Sequence, residues 1–278
     1  MRVGTSFRIS VISVVLFAVL PRCFNVPEFP DQKEIKDLRI LAIRADPPLA
    51  RPGEDVTLRA LVVSPDGEAG DAAHRWWWCG GTSGTEGAAN CAPQDDPELD
   101  RGRERTAIHR VPEGVLDQKS VLVKVYGFRD VVNLEVQRGD ERARAFKRIQ
   151  VLGGGQNRNP VMHGLHIEGA AAEGDAFVVS PGKEYRLMPE ADFSASERFS
   201  AIDFALNTVE LEEEYMFAWY ATGGKLDDGV TRQSEGSATK WEAPGESPAQ
   251  SKPLFVYVVL HDGRGGNDWW VQKVHVRR

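Results

Sequence analysis

The chain has 278 residues, of which 41% are hydrophobic and 27% charged, and its formal net charge is -7. A chain of this length and composition buries real hydrophobic cores, and by the usual domain size we expect two globular domains. The acidic balance argues against a general affinity for nucleic acid, because such affinity depends on clustered lysine and arginine.

The N-terminus has the pattern of an export signal. Arg2 and Arg8 precede an apolar stretch over residues 9–20, which is too short to cross a bilayer as a helix but matches the apolar region of a secretory signal. Residues 20–23, of sequence Leu-Pro-Arg-Cys, resemble the lipobox of bacterial lipoproteins, in which a peptidase cuts before a cysteine that is then acylated. A proline and an arginine replace the small residues of that motif.

We interpret residues 1–23 as a signal peptide with a degenerate lipobox, Cys23 as the lipidation site and residues 24–37 as a polar tether. Plain secretion is the alternative. The residue after the cysteine is Phe24 and not an aspartate. By resemblance to other Gram-negative lipoproteins, this favours the outer membrane. The predicted location is therefore the cell envelope, with an N-terminal lipid as the membrane contact.

Residues 38–152 have the alternation and turns of a first β-sandwich. A Pro52-Gly53 turn leads into an alternating strand, a strand with three consecutive tryptophans follows, and Gly139-Asp140 predicts a hairpin between two extended runs. We interpret the charged residues between Arg138 and Arg148 as the solvent face of that hairpin. The predicted strands cover residues 39–43, 56–63, 75–79, 121–126, 131–137 and 145–151, and residues 95–113 are predicted to be an irregular connection.

Cys79 and Cys91 are expected to form a disulfide, because Cys23 is assigned to the lipid. The segment between them is rich in glycine, and closing a loop of this length stabilises by about 3 kcal/mol in the chain-entropy picture. An oxidising compartment lets such a bond persist. A two-cysteine metal site is the alternative, although no histidine nearby has the spacing of a zinc finger.

Residues 153–160 form a glycine-rich linker, and residues 161–278 are predicted to be a second β-sandwich. This unit repeats the order of the first, with a Pro181-Gly182 turn and a tryptophan strand that contains Trp219. Residues 254–260 are almost continuously apolar, which predicts a strand buried on both faces. An Asp262-Gly263 turn then leads into a closing strand over residues 269–276.

These features of the second unit resemble the Ig-like or PKD-like modules of bacterial surface proteins. In such modules a Pro-Gly turn leads to a strand, a tryptophan packs between the sheets, and an apolar strand runs into an Asp-Gly turn. The pair of units is similar to two-module lipoproteins of deltaproteobacteria. The resemblance implies an all-β fold with two tandem Ig-like β-sandwich domains after the signal or anchor segment, and it carries no catalytic residues.

Trp77, Trp269 and Trp270 are the candidate ligand-binding residues, since an exposed indole suits stacking on a sugar or a protein partner. Core packing is the alternative for each of them. Acidic residues at 95–100, and Asp262 with its neighbours Asn267 and Asp268, have the density of a cation site. We favour a solvated loop for the first group and Asp-Gly turn chemistry for the second over a cation site.

We therefore expect a non-catalytic envelope lipoprotein that acts as a structural or protein-docking module. The alternative is a carbohydrate-binding or adhesion module that uses exposed tryptophans. The expected partners are other envelope or surface proteins, or a polysaccharide, and no cofactor, metal or nucleic acid is predicted. Hydrolase activity requires convergent carboxylates near residues 95–100 or 212–214.

Overall fold

A computed structural model describes residues 32–78, 99, 103–117, 127–202, 207–245 and 252–277. Strands dominate this part of the chain, and its helical segments are two single turns of 3-10 helix, Phe193–Ala195 and Gln233–Glu235. The all-β prediction is confirmed. The span Gln32–Arg278 forms one compact unit.

The first module consists of strands β1 to β8 in two sheets. In one sheet β3 pairs with β1 on one side and with both β4 and β6 on the other. The other sheet has the order β2-β8-β7-β5. Alternating apolar residues of both sheets meet in a buried core that contains Trp76 and Val132. The strands are β1 (Arg39–Asp46), β2 (Leu49–Ala50), β3 (Asp55–Ser64), β4 (Gly67–Glu68), β5 (Ala73–Trp78), β6 (Thr106–Arg110), β7 (Phe128–Arg138) and β8 (Glu141–Val151).

The second module consists of strands β9 to β20. Its sheets have the orders β10-β11-β20-β19-β15-β17 and β16-β18-β12-β9, and β13 and β14 form a separate hairpin. The strands are β9 (Met162–Glu168), β10 (Ala171–Glu173), β11 (Ala176–Val179), β12 (Glu184–Ala191), β13 (Arg198–Ile202), β14 (Thr208–Glu212), β15 (Met216–Ala221), β16 (Lys225–Leu226), β17 (Val230–Arg232), β18 (Thr239–Glu242), β19 (Leu254–His261) and β20 (Asn267–Val276).

Both modules begin with the same change of sheet. In the first module β1 pairs antiparallel with β3, and β2, which follows it, pairs parallel with the last strand, β8. In the second module β9 pairs antiparallel with β12, and β11 pairs parallel with the last strand, β20. The tryptophans Trp76 of β5 and Trp219 of β15 are each 0% exposed between the sheets. This repeated strand order and the buried indole identify two Ig-like sandwiches, as the sequence predicts.

The two modules pack face to face through a third apolar cluster. The outer faces of β1 and β3 meet the outer face of the β15-β19-β20 sheet, so β19 is buried on both sides and that prediction is confirmed. Val256, Val258 and Leu260 point into the second module's own core. We call the third cluster the inter-module core; its buried members are Ile35, Ala42, Leu61, Val63, Tyr257, Val259 and Trp269.

The structure corrects one predicted loop and one predicted solvent face. Within residues 95–113, Thr106–Arg110 is strand β6, because Ala107 and His109 alternate inward while the backbone of the segment pairs with β3. Lys147, in the charged run, is only 9% exposed. It shares a face of β8 with the core residue Ile149, which is why it is buried.

Residues 32–37, in the segment interpreted as a tether, lie against the second module. The backbone N–H of Ile35 donates to the Ala221 carbonyl at 2.8 Å, and the side chain of Ile35 is buried in the inter-module core. The predicted domain boundaries at residues 153–160 stay a prediction.

Candidate functional site

Several predicted site residues lie outside the described residues. These are the lipidation residue Cys23, the cysteines Cys79 and Cys91, and the acidic residues at 95–100. The tryptophans and the Asp262 turn are described, so the candidate site is built from them and from what surrounds them.

Two of the three candidate tryptophans present no exposed ring. Trp77 is 2% exposed, and Trp269 is 8% exposed because it packs in the inter-module core with the Arg59 guanidinium 4.9 Å from its ring centroid. Trp270 is half-buried, and its indole N–H donates to Gln272 Oε1 at 3.3 Å. Trp77 and Trp269 therefore offer no flat stacking surface and follow the core-packing alternative, with Trp269 packed between the modules. A role of the three tryptophans in ligand binding stays a prediction.

The Asp262 turn is a buried polar junction. One oxygen of its carboxylate accepts from the backbone N–H of Arg264 at 2.7 Å and of Gly266 at 2.9 Å, and the other accepts from Asn157 Nδ2 at 3.1 Å. Burial raises the pKa of Asp262 above its ordinary value. The carboxylate is thus occupied by turn and linker N–H groups. Among the described residues no group of three or more histidines, cysteines and carboxylates is placed to hold a metal ion.

Arg264, which follows this turn, joins the linker to the β13–β14 hairpin. Its guanidinium lies 2.7 Å from Glu213 Oε1 and 3.1 Å from Glu197 Oε2, and it donates to the Gln156 carbonyl at 2.7 Å. Glu213 is buried, and burial raises its pKa above the ordinary value. Because Arg264 and the Glu197 backbone N–H occupy the Glu213 carboxylate, this group ties elements together and offers no open acid for hydrolysis.

Polar side chains also cross directly from one module to the other. Lys147 Nζ donates to the Gly265 carbonyl at 2.6 Å, Asn267 Nδ2 donates to the Ile43 carbonyl at 3.0 Å, and Arg44 pairs with Asp268 at 2.8 Å. Burial lowers the pKa of Lys147 to about 8, although the Asp262 carboxylate nearby acts in the opposite direction. These contacts fix the turn of the second module against β1 and β8 of the first.

A buried hydrogen-bonded cluster also lies inside the first module. Asp130 Oδ2 is 2.7 Å from His109 Nε2, and Asp130 Oδ1 accepts from Trp78 Nε1 at 2.6 Å and from the Val131 N–H at 3.0 Å. The cluster joins β5, β6 and β7. Nothing in the sequence pattern marks it, because its three side chains come from strands far apart along the chain. With both oxygens satisfied and the group shielded from water, its role is to tie strands together.

The β13–β14 hairpin forms a two-stranded sheet of its own, apart from the larger sheets. Its strands pair with each other and with no other described strand. Leu211 on β14 is 46% exposed, and Phe199 on β13 lies under the Arg264 guanidinium at 4.3 Å. The hairpin is therefore anchored at its base and has unpaired strand edges, which are the usual template for pairing with another chain.

No helix in the described ranges is long and apolar enough to span a membrane. No protein-family pattern and no curated protein matches the sequence.

Comparison with solved structures finds Ig-like and PKD-like domains. They include the N-terminal Ig1-2 module of the Drosophila receptor tyrosine phosphatase DLAR (9% identity, 87% of this chain and 100% of that chain, TM-score 0.26). The PKD domain of human KIAA0319 is 15% identical over 45% of this chain and 88% of its own length, with a TM-score of 0.24. Three domains of the bacteriophage RB49 capsid protein Hoc are 12% identical over 86% of this chain, with a TM-score of 0.24, and the match spans 59% of the phage chain. The Ig-like fold follows from the strand order, and at these TM-scores the similarities carry no conclusion about function.

Proposed function

We propose that this protein is a non-catalytic cell-envelope lipoprotein whose two sandwiches act as one rigid docking module for another envelope protein. The envelope location rests on the predicted signal and on Cys23, and the docking role rests on the described structure. A flat tryptophan surface for carbohydrate is the weaker candidate, because Trp77 and Trp269 are buried.

The observation that carries the proposal is the junction between the modules. Apolar side chains of β1 and β3 are buried against β19 and β20, and the surrounding hydrogen bonds of Lys147 and Asn267 cross the same interface. Flexible tandem modules usually have small polar interfaces, whereas a buried apolar interface holds two domains in one orientation. A rigid body of this kind presents surfaces on both modules at a fixed separation.

The hairpin β13–β14 is the docking element that we assign to this body. It is inserted between β12 and β15, and the first module has no corresponding hairpin between β3 and β5 among its described residues. Its open edges suit strand addition by an extended segment of a protein partner. The ion pair between Arg264 and Glu213 joins the base of the hairpin to the Asp262 turn. A partner bound at the hairpin therefore has a fixed position with respect to both modules.

A site-specific photocrosslinker tests the docking proposal. Placed at Leu211 in the living host, it is expected to give one adduct with an envelope protein, since this side chain is exposed on β14. The matched control is the same group at Val230, which is 57% exposed in the same module but lies outside the hairpin. Equal adducts at both positions, or none at Leu211, contradict the assignment of the hairpin.

Anchoring is tested separately with Cys23→Ser. The mature native chain is expected to carry the mass of an acylated N-terminal cysteine and to fractionate with membranes, whereas the variant loses both. A native chain whose mature N-terminus lies elsewhere, with no lipid mass, refutes the anchor and leaves the crosslinking result to decide the docking role.

A further inference from the structure

A cavity of about 210 Å³ opens where the free edge of β3 changes partners. Strand β6 is in register with residues 55–59 of β3, and strand β4 pairs with Val63 and Ser64. Among the described strands neither covers Ala60 and Leu61 on this edge, although β1 pairs with both on the other side. The interruption leaves a recess in the sheet.

The recess is lined by buried side chains and by exposed charged side chains. Its floor is formed by buried side chains of the first module, including Val62, Ala69 and His74. Its mouth carries the exposed charged side chains Arg59, Glu68 and Arg105, and the indole of Trp269 reaches across from the second module as one wall.

Both guanidinium groups are positioned rather than freely mobile. The Arg59 guanidinium lies 4.9 Å from the centroid of the Trp269 ring and makes no hydrogen bond or ion pair within the described ranges. Arg105 donates to the Gly70 carbonyl, which holds it at the rim. Burial, with a smaller contribution from the nearby Arg105 charge, lowers the pKa of His74 below its ordinary value, although its hydrogen bond to the Ala72 carbonyl acts in the opposite direction. The lining thus has two positive charges against the one negative charge of Glu68.

We propose that this cavity binds a small organic anion of monosaccharide size, in which a carboxylate meets Arg59 and Arg105 and the rest of the ligand lies against the small accessible part of the Trp269 indole. Guanidinium groups recognise carboxylates through paired charge-assisted hydrogen bonds, and an indole provides apolar area for a ring. The Glu68 carboxylate is a hydrogen-bond acceptor for hydroxyl groups, which favours a uronic acid over a plain fatty or aromatic acid. The volume is below the ~300–1,000 Å³ of sites for drug-sized ligands.

This site is separate from the hairpin and does not depend on the docking role. Its test is calorimetric titration of the mature full chain with sodium glucuronate, and with glucose and inorganic phosphate as comparison probes. Arg59→Gln and Arg105→Gln each remove one charge at the mouth while keeping a polar side chain. Arg142→Gln removes the same charge at an exposed position of β8 outside the cavity and is the matched control.

The expected result is binding of glucuronate that is at least about tenfold weaker in either cavity variant and unchanged in the control, with glucose bound at least about tenfold more weakly than glucuronate. Because Arg59 and Arg105 are exposed, the variants are expected to keep the native circular dichroism spectrum. Three outcomes overturn the proposal: no binding of glucuronate at about 20 mM, equal binding by the cavity and control variants, or phosphate bound as well as glucuronate, which marks a simple anion site.

Discussion

Replacing Lys147 with methionine tests whether the polar junction between the modules has the charge state that the structure implies. Lys147 is buried beside the Gly265 carbonyl, and its pKa is lowered from 10.5 to about 8, chiefly by burial. The folded protein therefore releases this proton at lower pH than the unfolded chain, so stability rises as the pH increases from 8 towards 10.5. The full shift in pKa corresponds to about 3 kcal/mol of unfolding free energy, of which about 2.5 kcal/mol is gained between pH 7 and pH 10.

Urea unfolding followed by tryptophan fluorescence, at pH 7, 8, 9 and 10, measures this change. The difference between the native chain and Lys147→Met is informative, because buried tyrosines such as Tyr215, whose pKa burial raises to about 12, contribute equally to both proteins. Lys147→Met is expected to lack the increase in the free energy of unfolding with pH. Lys225→Met, at an exposed lysine of the second module, is the control and is expected to keep that increase. A rise of the same size in Lys147→Met refutes the burial of a charged Lys147 at the junction.

Three further predictions concern the interface and the first module. Leu61→Ala removes a buried side chain from the inter-module core and is expected to lower the free energy of unfolding by about 3 kcal/mol, whereas Val230→Ala, at an exposed site, changes it by less than about 0.5 kcal/mol; similar values for both contradict the packing. Gly67→Ala is expected to lower the thermal midpoint, because Gly67 has φ of +117° and an added Cβ lies 2.9 Å from the Phe255 ring of the other module; an unchanged midpoint counts against that close approach. Alkylation of the unreduced mature chain is expected to leave Cys79 and Cys91 unmodified, with about 3 kcal/mol lost on reduction, and their free modification disproves the disulfide.

The sequence predicts the strands more completely than it predicts their partners. The apolar run at residues 254–260 indicates burial on both faces, but nothing in it shows that the second covering face is the first module, because that contact joins residues about 200 positions apart. Lys147 belongs to an inward alternation with Ile149 and Val151 that periodicity reveals, yet the surrounding charges favour a solvent face.

The candidate site shows the same limit. Trp269 is singled out by sequence, but its place in the wall of a cavity depends on a gap between β4 and β6 along β3 and on the approach of a second module. No local sequence pattern indicates the gap along β3 or the approach of the second module. Strand β6 itself is missed because charged residues on both sides conceal its short alternation.

The path of the chain into the fold has a mechanical consequence. Residues 33–35 run parallel to the end of β15, with the Ala221 N–H donating to the Lys33 carbonyl at 2.9 Å and the Ile35 N–H donating to the Ala221 carbonyl at 2.8 Å. If Cys23 holds the protein at a membrane, a pull on the anchor reaches these hydrogen bonds before it reaches β1. Part of the force then passes to β15, an interior strand of its sheet, and less of it acts to peel β1 away from β3.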